Sequence, residues 1–116
     1  MFGTRKERLN RSLQQEVAAI LQRELKDPNL GFVTVTKVEL SGDLSHAKVS
    51  YSCLGSDADR ERSQDALERA TGFVRSLVKK RLRLKIIPEI VFRYDESIAQ
   101  AIDLSAKLDQ LKDPNR

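Results

Sequence analysis

The hydrophobic residues near the start of the chain recur at intervals of three and four, which is the period of one face of an α-helix. This spacing predicts an amphipathic helix over residues 5–25. Its apolar stripe consists of Leu9, Leu13, Val17, Ile20, Leu21 and Leu25. The helix is predicted to end before Pro28, because proline cannot continue a helix, and Asn29 and Gly31 then favour a turn.

The next two segments have the composition and alternation of β-strands. Residues 32–40 are rich in β-branched side chains, and their apolar phase changes between Val35 and Val38. A bulge near Thr36 or Lys37 explains this change, and an edge strand with loosely defined faces is the alternative. A short turn leads to a second strand whose apolar face comprises Ala47, Val49, Tyr51 and Cys53. Together they predict an antiparallel pair with one solvent-exposed face.

Helical periodicity returns over residues 57–82, and Ser56 or Asp57 is the expected N-cap. The apolar stripe of this segment consists of Ala66, Leu67, Ala70, Phe73, Val74, Leu77, Val78 and Leu82. A glycine within a helix costs about 1 kcal/mol, and small residues commonly mark kinks. A kink that divides the segment into two helices is therefore predicted at Ala70, Thr71 and Gly72.

The remaining elements are shorter. Pro88 ends the helical region, and a third strand follows in which apolar residues alternate at Ile90, Phe92 and Tyr94. A final helix is expected over 96–111, and residues 112–116 are expected to form a frayed tail. The order is helix, strand, strand, helix, kink, helix, strand and a C-terminal helix. It predicts one α+β domain over 1–111, with a three-stranded sheet and its helices on one face.

The aromatic side chains of the predicted elements share the phase of valine and isoleucine. They are Tyr51, Phe73, Phe92 and Tyr94. Aromatic residues in this phase belong to the core, so a platform for stacking nucleic-acid bases is not expected. Cys53 is interpreted as a small core residue, and His46 as a surface or turn residue within reach of a phosphate.

The composition sets limits on the class of protein. The chain has 116 residues, the length of one domain. It has no run of about 18 apolar residues, so a membrane-spanning helix is not expected, and its first residues do not resemble a secretory signal. The single cysteine excludes an intramolecular disulfide and a zinc site built on several cysteines. A reducing cytoplasmic setting is predicted, with no metal or other cofactor.

The positive charge is concentrated in two blocks, although the formal net charge is only +4. Residues 75–85 contain six basic residues and no acidic one, and residues 5–11 contain four basic residues and one acidic one. Such charge predicts a polyanionic partner, because each phosphate contact releases counterions. A solvated helix face is the alternative. The candidate RNA-binding residues are Arg5, Lys6, Arg8, Arg11, Arg75, Lys79, Lys80, Arg81, Arg83 and Lys85.

Catalysis has little support in the sequence. The chain has no phosphate-cradling glycine loop, no H-E-x-x-H motif and no nucleophile elbow. Three carboxylates, Asp43, Glu89 and Asp95, follow or precede predicted strands and could approach one another. Isolated carboxylates near turns are normally caps or solubilising groups. No catalytic residue is therefore predicted.

Four strings of the sequence resemble the bacterial ribosome-binding factor A family, in the family's order and separation. They lie within Glu24–Thr36, Asp43–Val49, Ala70–Arg75 and Arg83–Asp95. The resemblance covers residues 4–110 and implies the type II arrangement of the KH RNA-binding domain. An ordinary KH domain grips single strands with a Gly-x-x-Gly loop, which the family replaces by Ala-x-Gly. Here this is Ala70-Thr71-Gly72, so binding by charge and shape along the helix is expected.

The resemblance also implies a function. Proteins of this family bind the free small ribosomal subunit and its 16S rRNA. They support late maturation, including processing of the 5′ end, especially in the cold. A monomer is expected. A possible further partner is an assembly GTPase that acts on the same subunit. Two alternatives remain: a general KH-like module for single-stranded RNA, and a basic adaptor that docks an acidic protein.

Overall fold

Two helices and three strands follow one another through residues 3–97, the part of the chain that this computed structural model describes. They are α1 (Arg5–Arg23), β1 (Val33–Leu40), β2 (His46–Cys53), α2 (Asp57–Leu82) and β3 (Glu89–Tyr94). The predicted α+β class and the order of these elements are confirmed. The predicted helix over 96–111, beyond Ser97, and the predicted tail over 112–116 lie outside the described residues.

Both helices begin with a capping box, in which a hydroxyl and a carboxylate satisfy amide groups that have no partner within the helix. At α1, the Thr4 hydroxyl accepts from the Glu7 amide at 3.1 Å, and the Glu7 carboxylate accepts from the Thr4 amide at 3.2 Å. At α2, Ser56 and Asp59 make the equivalent pair at 3.2 and 2.9 Å. These caps fix where each helix starts.

The sheet has the order β1-β2-β3. β1 and β2 are antiparallel, whereas β2 and β3 are parallel. The register between β1 and β2 shifts between Val35 and Lys37, which leaves Thr36 as the extra residue of a bulge. The predicted bulge is confirmed. Its consequence is that Val38 and Leu40, after the shift, still point into the core.

The helices pack against one face of the sheet, and Tyr51 of β2 is fully buried between them. Its hydroxyl donates to the side-chain oxygen of Gln64, whose amide nitrogen donates to the Phe92 carbonyl at 3.1 Å. Burial raises the pKa of Tyr51 to about 12. This network joins α2 to β2 and β3, and it leaves the polar atoms of Tyr51 and Gln64 satisfied.

One predicted core residue lies outside the core. Phe73 is 46% exposed, whereas Val74 beside it is completely buried. The buried stripe of α2 passes through Ala70, Val74 and Val78, and a residue next to it in sequence is rotated by about 100° around the helix axis. The prediction for Phe73 is therefore wrong, because Phe73 lies beyond the edge of the stripe.

The predicted division of 57–82 into two helices is also wrong, because α2 is one continuous α-helix. The buried stripe runs unbroken on both sides of Gly72, and this packing outweighs the low helix propensity of glycine. The Thr71 hydroxyl donates to the Leu67 carbonyl at 3.0 Å, a bond that commonly bends a helix. A bend at Ala70, Thr71 and Gly72 stays a prediction.

Candidate nucleic-acid interface

Three separate segments meet at one end of the domain, which we call the basic end. They are the first turns of α1, the turn between β1 and β2, and the segment from Arg83 to Pro88 that joins α2 to β3. A groove of about 470 Å³ lies between them. Its lining residues are Arg5, Leu9, Leu44, Arg83, Leu84, Lys85, Ile86 and Pro88. The fold thus brings residues of both predicted basic blocks together.

Eight of the ten predicted RNA-binding residues have no ion-pair partner within residues 3–97. They are Arg5, Lys6, Arg8, Arg11, Lys79, Lys80, Arg83 and Lys85. Four of them, Arg5, Lys6, Arg8 and Arg11, belong to α1. The other four belong to the last turn of α2 or to the segment that follows it. Exposed cations without nearby carboxylates are available to an external anion.

Arg81 forms ion pairs with other residues of the chain. Its guanidinium contacts the Glu24 carboxylate at 2.8 Å and the Glu16 carboxylate at 3.6 Å, and both acids belong to α1 or its C-cap. These contacts tie the end of α2 to α1. Residues 75–85 contain no acid in sequence, yet the fold supplies acids from another element, which no local pattern could reveal.

Arg75 is engaged in a similar way. Its guanidinium donates to the Pro88 carbonyl at 3.2 Å and to the Ile87 carbonyl at 3.3 Å, and lies 3.7 Å from the Glu89 carboxylate. These two carbonyls lie in the segment before β3, where no helix or strand supplies a backbone N–H donor. The Arg75 guanidinium satisfies them instead. Its side chain is 30% exposed, which fits a holding role.

We expect Arg75→Ala to lower the free energy of unfolding by about 1–2 kcal/mol, because two partly buried carbonyls lose their donor. The midpoint of thermal unfolding should fall by about 5 °C. Lys80→Ala removes the same charge from an exposed position and serves as the control, with a change within about 0.5 kcal/mol. Equal midpoints for both variants would show that the Arg75 contacts do not hold the segment.

Two residues at the groove adopt the left-handed backbone conformation. Leu44 has φ 63° and Arg83 has φ 53°, and both line the groove. No other residue except glycine has a positive φ between residues 3 and 97. A residue with a side chain pays roughly 1 kcal/mol for this conformation, and glycine is the usual occupant after a helix. Sequence periodicity gives no signal for such positions.

The three carboxylates considered for catalysis do not form a cluster. Glu89 pairs in register with His46 at the start of β3, whereas Asp95 follows β3 and its amide donates to the Tyr51 carbonyl. Hydrogen bonds from Ser45 and Ser41 lower the pKa of Asp43, and those from Ser97 and Thr36 lower the pKa of Asp95. Asp43 and Asp95 therefore serve as local hydrogen-bond acceptors, and Glu89 lies in an ion pair with Arg75.

Within residues 3–97 there is neither a metal-binding cluster nor a helix that could span a membrane. No three or more histidine, cysteine, aspartate or glutamate side chains in this range come together as a metal would require. Neither α1 nor α2 combines the length and apolarity needed to cross a membrane.

The opposite end of the domain exposes apolar residues that sequence reasoning missed. Phe32 is 81% exposed and Leu54 is 75% exposed, and the Leu54 amide donates to the Phe32 carbonyl at 3.2 Å. Both residues flank strands and are of the hydrophobic types that usually fill a core. Residue type alone therefore could not distinguish these exposed positions from buried ones. The loop before Phe32 is held by α2, because the Gly31 amide donates to the Ser63 hydroxyl at 3.1 Å.

The fold and the basic end together define a class, a small α+β domain that has, within residues 3–97, two helices on one face of a three-stranded mixed sheet and basic residues gathered at one end. The sequence model of a family described as ribosome-binding factor A matches residues 5–108. The chain belongs to the ribosome-binding factor A family.

Individual relatives agree with this assignment. A protein of Natranaerobius thermophilus named ribosome-binding factor A is 52% identical over 111 residues, covering 96% of this chain and 85% of the relative. The crystal structure of ribosome-binding factor A from Thermus thermophilus superimposes with a TM-score of 0.69 at 29% identity, covering 77% of this chain and 93% of that one.

A further structural relative was placed in an assembly. It is a homology model of the Thermus thermophilus ribosome-binding factor A, fitted into an electron cryo-microscopy map of its complex with the 30S subunit. It superimposes with a TM-score of 0.59 at 28% identity, and covers 79% of this chain and 92% of that chain.

Proposed function

We propose that this chain is a non-catalytic assembly factor that binds the free small ribosomal subunit through its 16S rRNA. Binding supports late maturation of that RNA, including processing of its 5′ end, and matters most in the cold. The protein acts in the cytoplasm as a monomer. The observation that carries the proposal is that eight of the ten candidate residues, in α1, in the last turn of α2 and in the segment after it, have no carboxylate partner within residues 3–97.

The mechanism is electrostatic. Lys79 and Lys80 contact phosphates from the exposed side of α2, and Arg83 and Lys85 continue this surface into the groove. Arg5, Lys6, Arg8 and Arg11 extend it along α1. Arg75 and Arg81 act indirectly, since their contacts hold the segment before β3 and the end of α2 in place. Binding of this kind weakens steeply with salt.

Co-sedimentation tests the proposal. The purified protein is mixed with separated small subunits, large subunits and joined ribosomes at low and moderate salt, and the pellets are compared. We expect selective pelleting with free small subunits and less pelleting at the higher salt. Equal pelleting with every particle would contradict the proposal and would leave a basic KH-like domain without a preferred target.

Two specific alternatives have their own outcomes. An adaptor that docks an acidic protein would still be captured by its partner after ribonuclease treatment of the subunits. A general module for single-stranded RNA would bind short oligonucleotides as tightly as it binds small subunits. An involvement of an assembly GTPase would appear as a nucleotide-dependent change in the fraction that pellets.

Gly72 provides a prediction about the exposed side of α2. It lies on the solvent side, and a Cβ atom there would meet no atom within 4 Å apart from its chain neighbours and the backbone of its own helix. Gly72→Leu should therefore fold, and should gain roughly 0.8 kcal/mol in stability from helix propensity. We expect its affinity for small subunits to fall about tenfold, because a large side chain would hold the RNA away from the helix backbone.

The matched control is Ala58→Leu, which introduces a leucine without a change of charge at an exposed position of α2 near the opposite end of the domain. It should leave the affinity unchanged within about twofold. If Gly72→Leu binds small subunits as well as the unmodified protein does, Gly72 is architectural and α2 does not approach the RNA closely at this point.

A further inference from the structure

The groove at the basic end is lined by apolar side chains as well as by charged ones. Ile86 is 85% exposed and Leu44 is 37% exposed, and both line the groove beside Leu84. Phosphate contacts alone have no use for an exposed isoleucine, because an anion gains nothing from an aliphatic surface. The combination indicates a ligand that is apolar on one part and anionic on another.

The backbone supports the same conclusion. Leu44 and Arg83, the left-handed residues described above, face the same groove from different loops. Glycine would fit both conformations without strain, so folding does not explain a leucine and an arginine there. Strained residues of this kind cluster at binding sites, where their side chains contact a ligand.

A nucleotide with an unstacked base has the required chemistry. Its base offers an apolar face, and its flanking phosphates are anionic. Paired RNA hides its bases within the stack, whereas a single strand can extend them into a pocket. The groove volume of about 470 Å³ lies in the range of small-molecule sites.

We infer that this groove holds one unstacked nucleotide of a single-stranded stretch of RNA. The base lies on Leu44, Leu84 and Ile86, and its flanking phosphates are bound by Arg5, Arg83 and Lys85. The inference rests on the proposed binding of RNA and narrows its ligand to single-stranded rather than uniformly paired RNA. Contact with aliphatic side chains tolerates any base, so little sequence preference is expected.

A substitution between two neutral residues separates the contribution of the apolar lining to binding from that of the charged residues. We compare the affinity for a fluorescent hexauridine with that for a blunt RNA duplex of six base pairs, by anisotropy at low salt. Ile86→Ser should weaken hexauridine binding about tenfold and duplex binding less than twofold, since it removes apolar contact and no charge. Leu54→Ser alters a similarly exposed residue at the opposite end and should change neither affinity.

A second substitution uses the backbone strain. Arg83→Gly relieves the left-handed conformation, so the unfolding midpoint should not fall. Its affinity for hexauridine should fall at least fivefold, and the slope of log affinity against log salt should decrease by about 1. Unchanged affinity together with a lower midpoint would give Arg83 a purely structural role and would contradict its place in the site.

The outcomes distinguish the inference from the proposal on which it rests. Equal affinity for duplex and hexauridine, with no effect of Ile86→Ser, would overturn the nucleotide site and leave RNA binding in place. If the unmodified protein bound neither RNA and did not pellet with small subunits, both the nucleotide site and the proposed function would be rejected.

Discussion

We expect Lys79→Glu/Lys80→Glu to weaken binding to small subunits by about 30-fold or more at 0.1 M salt. Each phosphate contact lowers log affinity by about 0.7–0.9 for a tenfold rise in salt. Two contacts therefore raise the affinity at 0.1 M salt by about 30-fold or more over that at 1 M salt, and the variant loses this gain. Repulsion by the new carboxylates adds to the loss. The slope of log affinity against log salt should decrease by about 2, measured by filter binding or anisotropy with labelled subunits.

The control for this substitution must change the net charge equally. Lys37→Glu/Lys48→Glu does so on the opposite side of the sheet from the helices, where both lysines contact Glu39. We expect the control to lower affinity only a few-fold. Because Lys79 and Lys80 lie in the last turn of α2, where cations suit the helix dipole, the folded fraction of the test variant must be checked by circular dichroism. Equal losses in both variants would attribute binding to net charge.

Gly55→Ala should be the most destabilising alanine substitution among the glycines. Gly55 has φ 124°, and a Cβ atom would lie 2.5 Å from the Asp59 carboxylate that caps α2. The variant combines backbone strain with damage to the cap, which together cost about 2–4 kcal/mol. The midpoint of thermal unfolding should fall by about 10 °C or more.

Gly72→Ala is the matched control, because it makes the same chemical change at a helical position with open space around it. It should raise stability by about 0.5–1 kcal/mol through helix propensity and a smaller entropy of the unfolded chain. The opposite signs of the two effects are the test. A loss at Gly72 as large as that at Gly55 would mean that this part of α2 departs from helical geometry.

Local patterns were sufficient for the framework of the fold. The stripe of α1, the alternation in β2 and the phase change at Thr36 each follow from the period of one element, and all were predicted. Phe73 was misplaced because periodicity locates the centre of a stripe better than its edge. The continuity of α2 was missed because glycine propensity is local, whereas the packing that overrides it is tertiary.

The candidate site was predictable in composition and not in arrangement. The two basic blocks, including Lys79 and Lys80, could be predicted as a binding surface because a run of like charge is visible in the sequence. The pairing of Arg81 with Glu16 and Glu24 depends on how α2 crosses α1. The groove depends on three loops that meet only after folding, and the left-handed Leu44 and Arg83 have no sequence signature.

The mixed pairing of the sheet divides folding into an early and a late stage. β1 and β2 are neighbours along the chain, so their hairpin closes a short loop within microseconds. The parallel pair of β2 and β3 must instead wait until the whole of α2 has crossed the sheet, which carries a larger loop-closure entropy. The Arg83–Pro88 side of the groove is therefore completed late, after the hairpin that supplies Leu44 has already formed.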